Sequence, residues 1–256
     1  MTNPANEYTP AFYAQDVDAS IRTTAATLPE IFRFTGTPGS IVDFGTGVGY
    51  WLEAARALGI TDVHGYDGDY VQADQLRIPR DQFTAVDLNQ PVDTGRRFDL
   101  ALCLEVAEHL PASSAATLVD SLVRAAPIIA FSAAIPCQGG VHHVNEQWPR
   151  YWADLFEARG YETVDVIRRH IWEDPRIVCY YRQNLILYVE SNTLRGMPEL
   201  HTLSKNSAPH ALPLVHPTTY VWRARELERP WTLKRALRQL GSVIKKGALR
   251  RGMSSI

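Results

Sequence analysis

The sequence has few cysteines, and their scarcity excludes small cross-linked folds. Its 256 residues include three cysteines, Cys103, Cys137 and Cys179, which are far apart and form no CxxC pair. An odd number of widely spaced cysteines argues against a disulfide framework and against a structural zinc site. We therefore expect a chain that folds around an ordinary hydrophobic core in a reducing cytoplasm.

Long hydrophobic runs are also missing. No stretch of about 18 apolar residues is present, so the sequence predicts no membrane-spanning helix. The N-terminal sequence MTNPANEYTPAFYAQD lacks the basic start and apolar run of a secretory signal. Hydrophobic residues make up 45% of the chain and charged residues 21%, a balance that is typical of soluble globular proteins.

The chain has no overall excess of positive charge. Its formal net charge is -2. The chain as a whole therefore offers little electrostatic attraction to nucleic-acid phosphates, and we expect no nucleic-acid partner. The charge is uneven, because residues 231–256 contain seven Lys or Arg and no acidic residue. Leu233, Leu237, Leu240 and Ile244 recur there at helical spacing. This basic helix would either pack on its own domain or contact an acidic partner or an anionic membrane surface.

Short apolar runs alternate with amphipathic segments along most of the chain. The pattern predicts helices over residues 10–36, 50–59, 114–125 and 147–160, and strands over 41–44, 63–67, 83–88, 98–105, 127–136, 162–168 and 184–190. This alternation indicates an α/β fold with a parallel sheet. The last two strands leave no room for a full helical crossover, which predicts one antiparallel pairing. We divide the chain into an N-terminal helical segment (1–36), an α/β domain (37–192) and an extension (193–256).

A glycine-rich loop follows the first predicted strand. The segment VDFGTGVGYW places glycines at positions 45, 47 and 49, just before a helix. Without a Cβ, such a loop can turn tightly and approach a ligand, and the helix start adds free N–H groups. The dinucleotide fingerprint GxGxxG would need glycine at position 50, which is Tyr50. This departure weakens the alternative of a nicotinamide-dependent oxidoreductase.

Acidic residues end the next three strands. Asp67 ends the second strand, Asp87 with Leu88 ends the third, and Glu105 ends the fourth. The carboxyl ends of parallel strands meet at one edge of the sheet, where ligands bind in open α/β folds. A carboxylate at Asp67 suits ribose hydroxyls, and Asp87 with Leu88 suits an adenine ring.

Four motifs, VDFGTGVG, YDGDY, VDLNQP and FDLALCLEVAEHLP, occur in this order over roughly residues 20–190. In this the chain resembles the class I S-adenosylmethionine-dependent methyltransferases. The resemblance implies a Rossmann-like, doubly wound, seven-stranded sheet whose last strand is antiparallel. It also implies S-adenosylmethionine as cofactor and S-adenosylhomocysteine as product. The expected cofactor contacts are Asp43, Phe44, Gly45, Thr46, Gly47, Gly49, Asp67, Gly68, Asp87, Leu88 and Glu105.

A narrower resemblance concerns the region after the fifth strand. FSAAIPCQGGVHHVNEQWPRYW and YYRQNLILYV are similar to a bacterial group of these enzymes, some of which are associated with polysaccharide or glycan biosynthesis. By this resemblance the acceptor would be a small molecule or a sugar hydroxyl.

The reacting end of the site is predicted in the loop GGVHHVNEQW. A hydroxyl acceptor needs a base, and we favour His143 as the catalytic residue, with His109 as the second candidate. The predicted acceptor contacts are His142, Asn145, Glu146, Tyr181, Arg182 and Gln183. In the alternative interpretation, Asn145 caps the following helix and the histidines are ordinary loop residues. Glu108 and His109 are two adjacent metal-binding residue types, which are too few for a site, so we expect no metal.

The sequence thus predicts an S-adenosylmethionine-dependent methyltransferase, most simply an O-methyltransferase. Besides the oxidoreductase, the alternative is a catalytically silent binding module with the same fold. The intact glycine loop and Asp67 argue against that module, since a silent module need not keep both.

Overall fold

A computed structural model describes residues 17–206 and 213–228. Its seven strands are β1 Ser40–Phe44, β2 Asp62–Asp67, β3 Phe83–Ala85, β4 Leu100–Leu104, β5 Ile128–Ser132, β6 Tyr161–Val164 and β7 Ile186–Glu190. The described α-helices are α1 Val17–Thr35, α2 Tyr50–Ala57, α3 Ala115–Ala125, α4 Pro149–Glu157, α5 Ile167–Ile171, α6 Cys179–Asn184, α7 Ser191–Arg195, α8 Pro198–Asn206 and α9 Pro217–Glu228.

The strands form one sheet in the order β3-β2-β1-β4-β5-β7-β6. Strands β1 to β5 pair in parallel, and β7 runs antiparallel to both β5 and β6. This confirms the predicted Rossmann-like sheet with its antiparallel last strand. The chain leaves β1 toward β2 on one side and returns to β4 on the other. The carboxyl ends of β1 and β4 therefore flank the switch point at which such sheets bind ligands.

Helices cover both faces of the sheet. Leu28 of α1 and Leu52 of α2 belong to the core on one face, and Leu118 of α3 and Phe156 of α4 belong to the core on the other. Every residue of β1, β4 and β5 is buried. Strands buried on both faces are mostly apolar, which is why their short hydrophobic runs were recognisable in the sequence.

The strand predicted over residues 162–168 is wrong at its end. Strand β6 stops at Val164, and Ile167–Ile171 is helical. Ile167 and Ile171 are both buried, and their i, i+4 spacing places them on one helix face. The alternating β-branched residues before them favoured a longer strand. The helices α5 and α6 thus lie between β6 and β7, although these two strands pair antiparallel as predicted.

The predicted extension begins with folded helices. Leu194 of α7 and Leu200 of α8 are buried in the same core as α1 and α2. Residues up to Thr219 form one compact unit, and a second unit begins at Tyr220. Residues 10–16 of the first predicted helix and the predicted basic helix from Trp231 lie outside the described residues. Among the described helices, none combines the length and the apolar character that crossing a membrane requires.

Candidate functional site

The glycine-rich loop wraps over the end of the sheet. Gly45 and Gly47 have positive φ angles of 82° and 54°, which glycine adopts without steric cost. The N–H groups of Gly45 and Thr46 both donate to the carbonyl of Tyr66, at 2.7 and 3.2 Å. A Cβ on Gly45 would lie 2.3 Å from Cγ2 of Val106. A side chain at position 45 would therefore clash with Val106, which accounts for the glycine there.

Asp67 ends β2 directly beside this loop. Its Oδ2 accepts a hydrogen bond from the Gly47 N–H at 2.6 Å. Its Oδ1 accepts from the Gly68 N–H at 2.6 Å and also from the Tyr70 hydroxyl. Burial raises the pKa of Asp67, while these hydrogen bonds oppose the rise. Because each carboxylate oxygen has two lone-pair directions, Oδ2 keeps one acceptor position for a ribose hydroxyl.

Asp43 in β1 is a buried carboxylate that faces the same loop. It is 1% exposed, and its Oδ2 has no hydrogen-bond partner among the described residues. Burial and the charge of Asp67 raise its pKa to about 7, although the Thr46 side chain opposes the rise. A buried polar atom without a partner is costly. The cationic amino group of a bound amino acid moiety would supply the missing donor, so the residues fit S-adenosylmethionine.

The residues predicted to contact the adenine ring, and Phe44 beside the glycine-rich loop, differ in their exposure to solvent. Asp87 is exposed and accepts hydrogen bonds from the N–H and Nδ2 of Asn89, at 2.9 and 2.8 Å. Leu88 is buried. The Phe44 ring is fully buried against Tyr66, so only its backbone can meet a ligand. These adenine and loop contacts remain predictions.

Glu105 follows β4 and is held by side chains from two distant segments. Its Oε1 accepts from Nδ2 of Asn184 at 3.0 Å, and its Oε2 accepts from Nε2 of Gln138 at 3.1 Å. Its N–H donates to the Ser132 hydroxyl at 3.0 Å. Burial raises the pKa of Glu105, although the Asn184, Ser132 and Gln138 hydrogen bonds oppose the rise. No sequence signal pointed to Gln138, because it contacts Glu105 only after folding.

Gln183, another predicted acceptor contact, lies inside the fold in this structure. Gln183 is fully buried, and its Nε2 donates to Gln138 and Asn184, both at 3.0 Å. Its Oε1 accepts from the His216 N–H at 2.8 Å. The amide is therefore occupied by a buried polar network. There it positions Gln138 and Asn184, which donate hydrogen bonds to Glu105.

Two other residues from the same predicted acceptor group pack within the described fold. The Tyr181 ring meets Trp51 edge-on, with centroids 5.3 Å apart. The Nη1 of Arg182 donates to the carbonyl of Trp172 at 3.0 Å. Acceptor contact by Tyr181 or Arg182 remains a prediction.

The loop after β5 is organised by Glu146. Its carboxylate accepts from the N–H groups of Cys137 at 2.8 Å and Gly139 at 2.7 Å, and Oε1 lies 3.1 Å from Nδ1 of His143. Glu146 is thus turned toward its own loop, and it orients the His143 ring. His142, in contrast, is exposed.

Asn145 does not cap the next helix, contrary to the alternative interpretation of its role. Helix α4 starts at Pro149 after Trp148, and no side chain caps it. Asn145 is buried, its N–H donates to the Glu108 carbonyl at 3.1 Å, and its Oδ1 accepts from Nε2 of Gln147 at 2.9 Å. The residue therefore ties the loop to the single 3₁₀ turn Ala107–His109 that follows β4.

His109 and His143 meet at this junction. Their ring centroids are 5.0 Å apart in an edge-to-face arrangement. Burial, together with the neighbouring His143, lowers the pKa of His109 to about 4. The structure thus brings together the two predicted catalytic histidines, close to Glu105 and hence to the ligand-binding edge of the sheet.

Comparison with known proteins gives the same fold. Residues 13–127 match a family model described as a methyltransferase domain. The structure of DesVI from Streptomyces venezuelae has a TM-score of 0.53 at 13% identity, covering 74% of this chain and 99% of that one. The sugar N-methyltransferase KedS8 from a Streptoalloteichus species has a TM-score of 0.52 at 14% identity, covering 70% and 91%. No curated protein shows significant sequence similarity to the chain. At these identities the structural similarity establishes the fold alone.

Proposed function

We propose that the chain is a class I S-adenosylmethionine-dependent methyltransferase, and that it methylates a hydroxyl group of a sugar or another small molecule. The observation that supports this proposal most is the His143–Glu146 pair at 3.1 Å. A hydroxyl must lose its proton to become a nucleophile, whereas a neutral amine already has a free electron pair. A histidine oriented by a carboxylate is a common arrangement for accepting such a proton.

The cofactor would be held by groups from three strand ends. The Asp43 carboxylate would bind the amino group, the loop of Gly45, Gly47 and Gly49 would contact the amino acid part, and Asp67 would accept from the ribose hydroxyls. Bound S-adenosylmethionine supplies a methyl group on a positively charged sulfur, so the C–S electron pair goes to sulfur as the new C–O bond forms.

The acceptor would lie beside the loop after β5. With Nδ1 of His143 engaged by Glu146, Nε2 is the ring nitrogen left to accept the hydroxyl proton. His109 is the second candidate for this role, because its ring adjoins that of His143. The protein's contribution is to align the acceptor oxygen with the methyl group and to remove one proton.

A sugar acceptor has one further support. KedS8, which shares this fold, is described as a sugar N-methyltransferase. N-methylation of an amino sugar is therefore the second candidate function. We also propose a cytoplasmic location, in keeping with the three free cysteines, and no nucleic-acid partner. The basic segment that suggested a membrane or acidic partner lies outside the described residues.

The test is a turnover assay on the full-length chain. S-adenosylmethionine would be incubated with neutral sugars and with matched amino sugars, and S-adenosylhomocysteine would be quantified. We expect product with hydroxyl acceptors. His143→Ala should lower kcat by about a hundredfold or more and leave the Kd of the cofactor unchanged. His170→Ala, at an exposed histidine of α5, should behave as wild type.

Turnover on amino sugars alone would replace the proposal with N-methylation. Cofactor binding without turnover on any acceptor would favour the silent binding module. Absence of cofactor binding would refute the proposed function altogether.

A further inference from the structure

Three metal-binding side chains meet beside the end of β4. Glu108 and His109 lie in the turn Ala107–His109, and His143 comes from the loop after β5. One potential ligand atom from each residue lies within 4.8 Å of the other two. The sequence showed only the adjacent pair Glu108–His109, which is too few ligands. Folding adds the third.

Glu108 is the most unusual member of this cluster. It is fully buried, and neither Oε1 nor Oε2 has a hydrogen-bond partner among the described residues. A buried carboxyl without a partner is strongly unfavourable. A bound cation would provide the partner that the described protein atoms do not.

Backbone hydrogen bonds hold the loop of His143 against the turn that carries Glu108. The carbonyl of Glu108 accepts from the N–H groups of Val144 and Asn145, at 2.8 and 3.1 Å. These bonds come from the two residues after His143 and join its loop to the turn that carries Glu108 and His109. The cluster is thus held by two backbone hydrogen bonds as well as by side-chain contacts.

The surroundings of His143 are those of a metal-binding histidine. Such histidines usually donate the second ring N–H to a carboxylate, which fixes the tautomer and the ring orientation. Here Nδ1 lies 3.1 Å from Oε1 of Glu146, which leaves Nε2 for an ion. Glu146 is itself held by the N–H groups of Cys137 and Gly139. The supporting carboxylate is therefore already in place.

We propose that Glu108, His109 and His143 bind one divalent first-row transition-metal ion. Two imidazoles and one carboxylate favour ions such as Zn²⁺ or Co²⁺ over Mg²⁺ and Ca²⁺, which prefer oxygen ligands alone. Three protein ligands leave a coordination position open, as in catalytic zinc sites.

The role of the ion, unlike its binding, rests on the proposed function. An acceptor hydroxyl in the open position would lose its proton to solvent more readily, because a bound metal lowers the pKa of a coordinated oxygen acid. In that case His143 acts on the hydroxyl as a metal ligand and not as a free base.

Binding would be measured on the untagged full-length chain after treatment with a chelator, with Co²⁺ as the probe. Visible absorption and calorimetry should show one Co²⁺ per chain, displaced by Zn²⁺ and not by millimolar Mg²⁺. His143→Ala and Glu108→Gln should weaken Co²⁺ binding at least tenfold. Glu146→Gln should weaken it about ten- to a hundredfold.

The matched control is His142→Asn. His142 is exposed, neighbours His143 in sequence and has a left-handed φ of 58°, which asparagine tolerates. This variant should bind Co²⁺ as the wild type does. If Glu108→Gln fails to fold, His143→Ala decides, since its change lies in a loop.

Two results would overturn the metal site: no saturable Co²⁺ binding in the wild type, or equal affinity in wild type and His143→Ala. The same samples would be titrated with S-adenosylmethionine. Cofactor binding without Co²⁺ binding refutes the metal site alone. Co²⁺ binding without cofactor binding supports the site and refutes the proposed function.

Discussion

The backbone N–H of Gly47 donates a hydrogen bond to Oδ2 of Asp67 across 2.6 Å. This bond joins the glycine-rich loop after β1 to the last residue of β2. The candidate ribose ligand therefore also supports the loop that would contact the amino acid part of the cofactor. Loop conformation and carboxylate position depend on each other, and a change in one should affect the other.

Asp67→Asn should weaken cofactor binding by roughly ten- to a hundredfold, the loss of a hydrogen bond to a charged group being worth about 1.5–3 kcal/mol. The amide would remove the negative charge. It would also place an NH₂ group against N–H groups, such as those of Gly47 and Gly68, that donate to the carboxylate. Calorimetry with S-adenosylmethionine would measure the change. Asp69→Asn is the control, because Asp69 is exposed two residues away. Equal Kd values for the two variants would contradict the role of Asp67.

Gly45→Ala should cost more stability than Gly36→Ala. Both glycines have similar positive φ angles, 82° and 77°, so alanine at either position costs about 1–2 kcal/mol in backbone strain. At Gly36 a Cβ meets nothing within 4 Å, whereas at Gly45 it would lie 2.3 Å from Val106. The clash should add about 1–3 kcal/mol. The free energies of unfolding of the two variants would be measured by urea titration. Equal losses of stability would show that the Val106 side chain moves aside at no cost.

Cofactor affinity should rise with pH up to about 7 and then level off. Burial raises the pKa of Asp43 to about 7, so below that pH the free chain holds a proton there. Pairing with the cationic amino group favours the ionised carboxylate, and the proton must leave on binding. Calorimetry between about pH 6 and 8 should show this rise in wild type. Asp43→Asn should bind more weakly and show no such rise; an identical pH profile would exclude Asp43 as the titrating group.

Arg168→Met should destabilise the fold far more than Arg176→Met. Arg168 is fully buried, and its Nε donates to Asp165 at 2.7 Å and its Nη1 to the Gln183 carbonyl at 3.0 Å. Its removal leaves the Asp165 carboxylate, whose side chain is only 11% exposed, and the Gln183 carbonyl without these partners, at a cost of about 3–5 kcal/mol.

Arg176 pairs with Asp174 while itself exposed, and such surface pairs contribute about 1 kcal/mol or less. Thermal unfolding of both variants would measure the difference. Similar melting temperatures would show that the buried arginine network is dispensable for stability.

The sheet was predictable because β1, β4 and β5 are buried on both faces, so each strand is a short and mostly apolar run in the sequence. The end of β6 could not be predicted from the sequence. The residues that follow Val164 alternate like a strand, whereas in the structure Ile167 and Ile171 pack as one face of a helix. Only the core of the folded chain decides between these two patterns.

The candidate cofactor site was largely visible in the sequence, since its glycines and acids stand at fixed places relative to strand ends. The internal position of Gln183 was not visible, for the opposite reason. Its amide faces Gln138 and His216, which are distant in sequence, so nothing near position 183 showed that its hydrogen bonds were already made.

The sequence by itself determined the order of strands and helices, the loop of glycines and the acids that face it, because these follow from local spacing and hydrophobic burial. Only the tertiary structure decided that His143 lies against Glu108 and His109, that Glu146 orients it, and that Gln183 is internal. Such contacts join segments far apart in the chain, and their geometry exists only once the sheet has brought its carboxyl edge together.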